Sequence, residues 1–396
     1  MRVLSDFSVS AATAGFVAVL VGFTSSVAIV FQAALAFGAT QAQLASWIWA
    51  LGIGMGLCSL VPSWILRKPV MVAWSTPGAA VLASAGLAGS FGMADATGAF
   101  IACAALVTLC GVTGWFETII NRIPVSITSA LLAGVLVRFG LQAFAAAQTA
   151  PALVTVMLAS YLIARRTLPR FAVVLTLLAG LGLAMARGEL AQIPFGSGLA
   201  TPVFVAPQWS GSAFVSLAIP LFVVTMASQN LPGVAAIRAA GYGGPAGVPI
   251  SRLITLTGLT TLLLAPFGAF SLGFGAITAA ICLGPEAHED RHKRYTAAMF
   301  CGALYLLIAF LGAAVSGLLS AFPKELVAAI AGIALLGTIA NAMAQALQDE
   351  AGREAAIITF LVTLSGVVIA GVGSAFWGVV AGGAAIAVQQ YKRRTT

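Results

Sequence analysis

The sequence predicts an all-α polytopic membrane protein with fourteen transmembrane segments, arranged as two inverted repeats of seven. Three observations lead to this fold class. The 396 residues are 60% hydrophobic and only 8% charged, whereas a soluble protein carries roughly 25% charged residues. Apolar runs close to the ~20 residues that cross a bilayer recur from end to end. Weak sequence echoes also lie about half a chain apart.

The echoes place Gly and Pro interruptions in both halves of the chain. AWSTPGAAVL at 73–82 has a counterpart in LAPFGAFSLG at 264–273, which pairs Pro77 with Pro266. Backbone that leaves a helix inside a bilayer must be satisfied by protein, water or ligand. Paired interruptions of this kind are the best sequence pointer to the binding site of a transporter.

The apolar runs define the fourteen segments in order. The third and tenth are weakly helical at their starts, so we expect each to be a broken segment, a short strand followed by a half-helix. The predicted spans are residues 11–35, 43–64, 70–89, 97–116, 123–142, 149–164, 170–186, 213–236, 250–264, 266–283, 295–319, 323–343, 354–371 and 374–390.

Charge placement orients these segments. With both termini in the cytoplasm, only Arg138, Arg187 and Lys324 of the 19 Lys and Arg residues fall in outer connections, as the positive-inside rule requires. The net charge of +8 therefore records orientation in the bilayer and attraction to anionic lipid, and it does not indicate nucleic-acid binding. We expect a multi-pass protein of a bacterial inner membrane.

Seven segments per repeat is an odd number, so the second repeat must be inverted relative to the first. Residues 1–186 form the first predicted repeat and 213–396 the second. Residues 187–212 are polar and rich in Pro and Gly, and they lack helical periodicity. We expect them to be an external linker.

The predicted site begins at the third segment. Thr76 suits an N-cap and Pro77 the first helical turn, while Gly78 would let a ligand approach the backbone. A helix that starts in mid-membrane presents free N–H groups and a positive dipole end, which bind anions. The alternative is that the prolines only kink ordinary helices.

The tenth segment offers similar chemistry at Pro266, Phe267, Gly268 and Ala269. Two half-helices that meet head to head would direct two positive ends at one point. Such a site favours a small anion, and nearby aromatic residues such as Trp74 favour one with a ring.

Uncharged polar residues of two further segments complete the predicted site. They are Ser25 and Ser26 on the first segment and Gln229 and Asn230 on the eighth. Packing between helices is the alternative role for such side chains. No ionisable residue lies near the middle of a predicted span, so any coupled proton is carried either by a residue near a segment end, such as Asp6, or by the substrate itself.

One motif points to a different function. The stretch 288–292 reads HEDRH, which matches the HExxH pattern of zinc proteases. It lies in a short charged connection with no evident third ligand, so a solvated loop is the favoured interpretation. We expect no metal and no cofactor.

Three stretches identify a family resemblance. SDFSVSAATAGFVAVLVGFTSSVAIVFQAA at 5–34, AWSTPGAA at 73–80 and ASQNLPG at 227–233 resemble the bacterial benzoate/proton symporter family of the BenE type. The resemblance implies proton-coupled import of benzoate or a related aromatic carboxylate across the inner membrane. More distantly, the chain is similar to nucleobase transporters and to sulfate- and bicarbonate-type anion carriers.

The wider fold implies a core domain from residues 1–121 and 213–320 and a gate domain from 122–186 and 321–396, with a possible homodimer through the gate. Substrate would lie between segments 3 and 10. The implied site comprises Ser25, Ser26, Thr76, Pro77, Gly78, Gln229, Asn230, Phe267, Gly268 and Ala269. An amide, Gln229, stands where nucleobase members carry a carboxylate, which favours an anionic substrate.

The sequence thus predicts a secondary transporter that is not an enzyme, with a small aromatic carboxylate and a proton as its cargo. Three alternatives stay open at this point. They are a transporter of another small anion or nucleobase on the same fold, a passive anion channel, and an HExxH membrane metalloprotease.

Overall fold

The computed structural model describes residues 6–24, 26–87, 91–116, 124–190, 199–243, 247–284, 287–367, 369 and 374–393. We number its helices and strands in chain order. They are α1 (Val9–Thr24), α2 (Val27–Ala36), α3 (Gln41–Leu66), β1 (Val72–Trp74), α4 (Thr76–Gly86), α5 (Met93–Thr113), α6 (Val125–Ala145), α7 (Pro151–Thr167), α8 (Ala172–Ala186), α9 (residues 211–237), α10 (Ile250–Leu264), β2 (Leu272–Phe274), α11 (Ala276–Cys282), α12 (Tyr295–Phe310), α13 (Gly312–Ser320), α14 (Lys324–Ala346), α15 (Arg353–Ser365) and α16 (Ser374–Arg393).

The described residues form a mostly helical, multi-span architecture, as predicted. Within the described part of the chain, seven helical stretches are long and apolar enough to cross a bilayer, and the exact count of fourteen segments stays a prediction. The seven are Val9–Ala36, Gln41–Leu66, Met93–Thr113, Val125–Gln148, Gly211–Val234, Ile250–Phe267 and Lys324–Ala346.

Several predicted spans are interrupted. The first is divided between α1 and α2, where Ser26 leaves helical geometry with φ −139°. The eleventh is divided at Leu311, between α12 and α13. Helix α9 contains π-helical turns, one of which is Thr225–Asn230. π-turns often mark functional sites because they redirect side chains.

Two short strands lie at the centre of the fold. Strand β1 pairs antiparallel with β2, in a register that places Ala73 opposite Gly273. Two further bonds flank the pair: Ser75 N donates to Ser271 O and Gly275 N donates to Met71 O, each at 3.0 Å. Because the strands are antiparallel, α4 and α11 continue from opposite ends of the pair and lead away in opposite directions.

This register corrects the predicted start of the second half-helix. Pro266 belongs to a 3₁₀ turn, Ala265–Phe267, that ends α10, and α11 begins only at Ala276. The strand pairing makes Gly275 the counterpart of Ser75. The pairing of Pro77 with Pro266 is therefore wrong, since short Gly- and Pro-containing stretches can be aligned by chance.

Close helix packing depends on small residues. Gly56 of α3 faces Leu306 of α12, and Gly302 of α12 faces Leu60 of α3, at positions where a Cβ atom would lie less than 3 Å from its neighbour. Small residues let helix backbones approach closely in a membrane, where the hydrophobic effect between helices is weak.

Residues 199–210 contain no helix or strand and lie against the ends of three helices. Ala200 N donates to Phe310 O of α12, Val205 N to Pro266 O beyond α10, and Gln208 N to Ala94 O of α5. These three helix ends therefore lie on one face of the protein.

Candidate functional site

Helix α4 begins in a buried position next to the strand pair. Its N-cap is Ser75 and not Thr76 as predicted: the Ser75 hydroxyl accepts from Gly78 N at 3.0 Å. Thr76 and Pro77 are the first two helical residues, and Pro77 has no N–H to satisfy. The Thr76 N–H has no hydrogen bond within the described part of the chain. The first turn thus keeps a free donor at the positive end of the helix dipole.

Gly78 supports this start by packing. A Cβ atom there would lie 2.7 Å from Leu221 Cδ1 of α9 and 2.8 Å from Ser75 Oγ. The sequence predicts that Gly78 leaves room for a ligand. In the structure this room is taken by α9 and by the N-cap side chain.

Three buried hydroxyl groups join the two halves of the chain. Ser271 Oγ donates to Thr225 Oγ1 at 2.9 Å, and Thr225 Oγ1 donates to Ser75 Oγ at 3.1 Å. None of the three side chains is more than 2% exposed. The chain of hydroxyls fixes the α4 N-cap to the π-turn of α9 and to the approach to β2.

We expect Thr225→Val to lower the free energy of unfolding by about 1–3 kcal/mol, because the Ser75 and Ser271 hydroxyls would lose a buried partner. Uptake of substrate should fall with it. Thr225→Ser keeps the hydroxyl and is the matched control. Thermal unfolding in detergent measures the difference, and equal stability of the Val and Ser variants would contradict this role.

The interruption between α1 and α2 positions Trp74. Ser26 Oγ donates to Gly22 O at 2.9 Å and accepts from Trp74 Nε1 at 2.8 Å. The Trp74 ring lies 5.3 Å from that of Phe23. Ser26 is therefore engaged in holding an aromatic wall. Ser25, the other predicted residue here, lies outside the described residues.

Gln229 and Asn230 of α9 both contact Phe274, the last residue of β2. Asn230 is fully buried; its Oδ1 accepts from Phe274 N at 2.9 Å, and its Nδ2 donates to Met226 Sδ. Gln229 Nε2 donates to Phe274 O at 3.0 Å. Asn230 is thus occupied by the backbone. Gln229 is only partly buried and keeps one N–H and its carbonyl oxygen for another partner.

Helix α11 contributes a residue that the sequence analysis missed. The Thr278 side chain is 2% exposed, and its Oγ1 has no hydrogen bond among the described residues. Gly275 leaves room for this hydroxyl, since a Cβ atom at Gly275 would overlap Thr278 Oγ1. An unpaired buried hydroxyl is costly, so it indicates a missing partner. An alignment of the two repeats in the register of the strands would have pointed to Thr278, because it is the counterpart of Gly78.

Phe267, Gly268 and Ala269 lie apart from these groups, between the end of α10 and β2. Phe267 O accepts from Ser46 of α3 at 2.8 Å. Gly268 has φ 108°, and a Cβ atom there would overlap the Trp47 indole. Ala269 is fully buried. Phe267 also packs on the rings of Trp49 of α3 and Phe204. Since α11 begins at Ala276, none of the three lies at the first turn of a half-helix.

The HExxH stretch forms a loop. Residues Arg291–Lys293 make a single 3₁₀ turn capped by Asp290, and His288 Nδ1 accepts from Asp290 N. No group of three metal-binding side chains occurs among the residues described. The two histidines are not presented on one helix face, as a zinc protease would require.

The comparisons with known proteins agree with this architecture. The model of a family described as benzoate membrane transport protein matches residues 5–388. The inner membrane protein YdcO of Escherichia coli is 46% identical over 370 residues, which cover 93% of each chain. The benzoate membrane transport protein of Acinetobacter baylyi is 38% identical over 377 residues, 95% of this chain and 94% of that protein.

One solved structure shares the fold. The transmembrane domain of a cyanobacterial bicarbonate transporter, BicA, matches with a TM-score of 0.63 over 94% of this chain and 97% of that one, at 13% identity. At this identity the match shows only that the two folds are alike. The family match over nearly the whole length shows that the chain is a multi-span membrane transporter and not an enzyme, and that it belongs to the benzoate membrane transport family.

Proposed function

We propose that this chain is a proton-coupled secondary transporter that imports benzoate or a related aromatic carboxylate by alternating access. One observation supports it most. The α4 N-terminus, with its free Thr76 N–H, and the unpaired Thr278 hydroxyl belong to two helices that start from one buried strand pair. Donors without partners in an apolar interior favour an anion as the occupant.

The surrounding groups suit an aromatic carboxylate. The paired rings of Phe23 and Trp74 offer an apolar wall, and Gln229 keeps hydrogen-bonding capacity. None of the described side chains that we place at the site is ionisable, so nothing there repels an anion or favours a nucleobase in the way a carboxylate would. We propose that the proton travels on the carboxyl group of the substrate.

Transport would proceed by movement of a core domain (1–121 and 213–320) against a gate domain (122–186 and 321–396). Helix packing supports this division. In the first group α3 packs on α12 and α5 on α10, while in the second α6 packs on α14 and α15, and α7 on α8. The fold shared with the bicarbonate transporter domain supports a multi-span arrangement, and fourteen segments with broken segments 3 and 10 are part of this proposal.

The protein would be embedded in the bacterial inner membrane with both termini in the cytoplasm. The placement of Lys and Arg supports this orientation. A homodimer through the gate domain is part of the same proposal.

Uptake of labelled benzoate into liposomes tests the function. Protein-dependent initial uptake should exceed that of protein-free liposomes and should rise when an inward proton gradient is imposed. Initial rates are needed because neutral benzoic acid also crosses lipid unaided. Uptake no faster than in protein-free liposomes, from a folded and inserted preparation, would exclude benzoate; protein-dependent uptake indifferent to the proton gradient would exclude coupling.

A further inference from the structure

Arg138 occupies an unexpected place. Charge placement counted it with the outer connections although it falls inside the fifth predicted span, 123–142, and the structure places it well inside α6, within a membrane-spanning stretch. Its side chain is only partly exposed, and no Asp or Glu of the described residues pairs with it. An ionisable residue in a membrane span is costly, so one without an opposite charge beside it indicates a functional site.

The guanidinium bridges two groups of helices. Its Nε and Nη2 donate to Leu364 O of α15 at 3.1 and 3.0 Å, and its Nη1 donates to Ser84 Oγ of α4 at 3.0 Å. Gly366, with φ 70°, makes room for it, because a Cβ atom there would overlap Nη2. Three of the five N–H groups are used, and two have no partner among the described residues.

A cavity of about 380 Å³ opens beside this guanidinium. Leu87, Phe139 and Leu141 give it apolar walls, and Arg138, Ser84 and Gln142 supply the polar groups. Its volume lies in the range of small-molecule sites. An apolar wall with one fixed cation matches a carboxylate on an aromatic ring, and a guanidinium is the side chain that best fits a carboxylate.

The cavity lies along α4 from the central site. Ser84 is eight residues from Thr76, roughly 12 Å along the helix axis. By the predicted orientation, this end of α4 faces the outside of the cell. The guanidinium therefore lies on the outer side of the start of α4, the side from which an imported substrate would arrive.

We propose that this cavity is a second, outer binding site for the carboxylate substrate, with Arg138 as its anion-binding residue. The inference rests on the proposed function for the identity of the ligand. It adds a site that is separate from the α4 N-terminus and that selects for negative charge before the substrate enters the central site.

Protection of an engineered cysteine tests the site directly. Gln142 is exposed, and the five native cysteines are all buried, so Gln142→Cys provides an accessible thiol in the cavity. Benzoate should slow its reaction with an external thiol reagent, and the uncharged isostere benzamide should not. Gln148→Cys, an exposed position outside the cavity lining, should not be protected by either.

Two double variants separate the outer site from the central one. Adding Arg138→Gln to Gln142→Cys should raise the half-protecting benzoate concentration about tenfold or more, the loss expected for a charge-assisted hydrogen bond. Adding Gln229→Leu should leave protection in place. If Arg138→Gln does not fold, Arg138→Lys carries the same comparison, with a smaller shift.

The proposal is overturned if benzoate does not protect, if benzamide protects equally, or if protection persists unchanged in the Arg138 variants. It is also overturned if Gln229→Leu alone removes protection, because the effect would then come from the central site. Failure of the proposed function has a different signature, namely wild-type protein that shows no protein-dependent benzoate uptake.

Discussion

Gln229→Leu should reduce benzoate uptake by at least about fivefold. The substitution removes the donor to Phe274 O and the remaining amide capacity at the site. Loss of a hydrogen bond that leaves its partner unpaired costs about 1–3 kcal/mol, and each 1.4 kcal/mol is tenfold in affinity. Concentration-dependent uptake into liposomes measures the effect as a rise in KM, a fall in maximal rate, or both.

Gln345→Leu is the matched control for removal of an amide. Gln345 lies on α14 and accepts from Ser129 at 3.3 Å, away from the strand pair. Its loss should change uptake less than twofold, about 0.4 kcal/mol on the same scale. If Gln229→Leu keeps the wild-type KM and rate, the residue serves helix packing alone, and the central site must be placed elsewhere.

Gly268→Ala should strongly destabilise the protein. Its φ of 108° is unfavourable for an L-residue by about 1–2 kcal/mol. The added methyl group would overlap the Trp47 indole, and overpacking of a core costs about 1–3 kcal/mol more. Thermal unfolding in detergent should show a correspondingly large fall in the midpoint.

Gly38→Ala isolates the backbone contribution. Gly38 also has positive φ, 77°, but nothing lies within 4 Å of its Cβ position. The difference between the two variants is therefore the contact with Trp47. Equal shifts would mean that Trp47 moves aside without cost. A changed KM for benzoate in the folded fraction of Gly268→Ala would indicate that residues 267–269 belong to the substrate site.

Local chemistry explains which parts of the site the sequence could predict. The Pro77 and Gly78 interruption indicates a helix start, because Pro suits the first helical turn, where its missing N–H costs nothing. It could not distinguish Ser75 from Thr76 as the N-cap, since both side chains can accept the same bond. The sequence predicts Asn230 as a site residue, but an amide in a membrane helix gives no sign of whether it serves a ligand or, as here, a backbone N–H.

The second half of the site depends on long-range pairing. The sequence offered one partner for the first half-helix, the stretch with Pro266 and Gly268, and the antiparallel register of β1 and β2 selects Gly275 and Thr278 instead. Arg138 shows the same limit. Its charge fits an outer connection by composition, but its contacts with Ser84 and Leu364 come from segments 54 and 226 residues away along the chain.

The sequence by itself determined the class of protein, the family and the multi-span helical architecture. These follow from apolar run length, charge placement and contiguous motifs, which act locally or through the bilayer as a uniform solvent. The tertiary structure decided which residues share the site. Hydrogen-bond partners inside a bilayer are chosen by geometry among many chemically similar Ser, Thr and Gly residues, and that choice is fixed only when the two halves of the chain pack together.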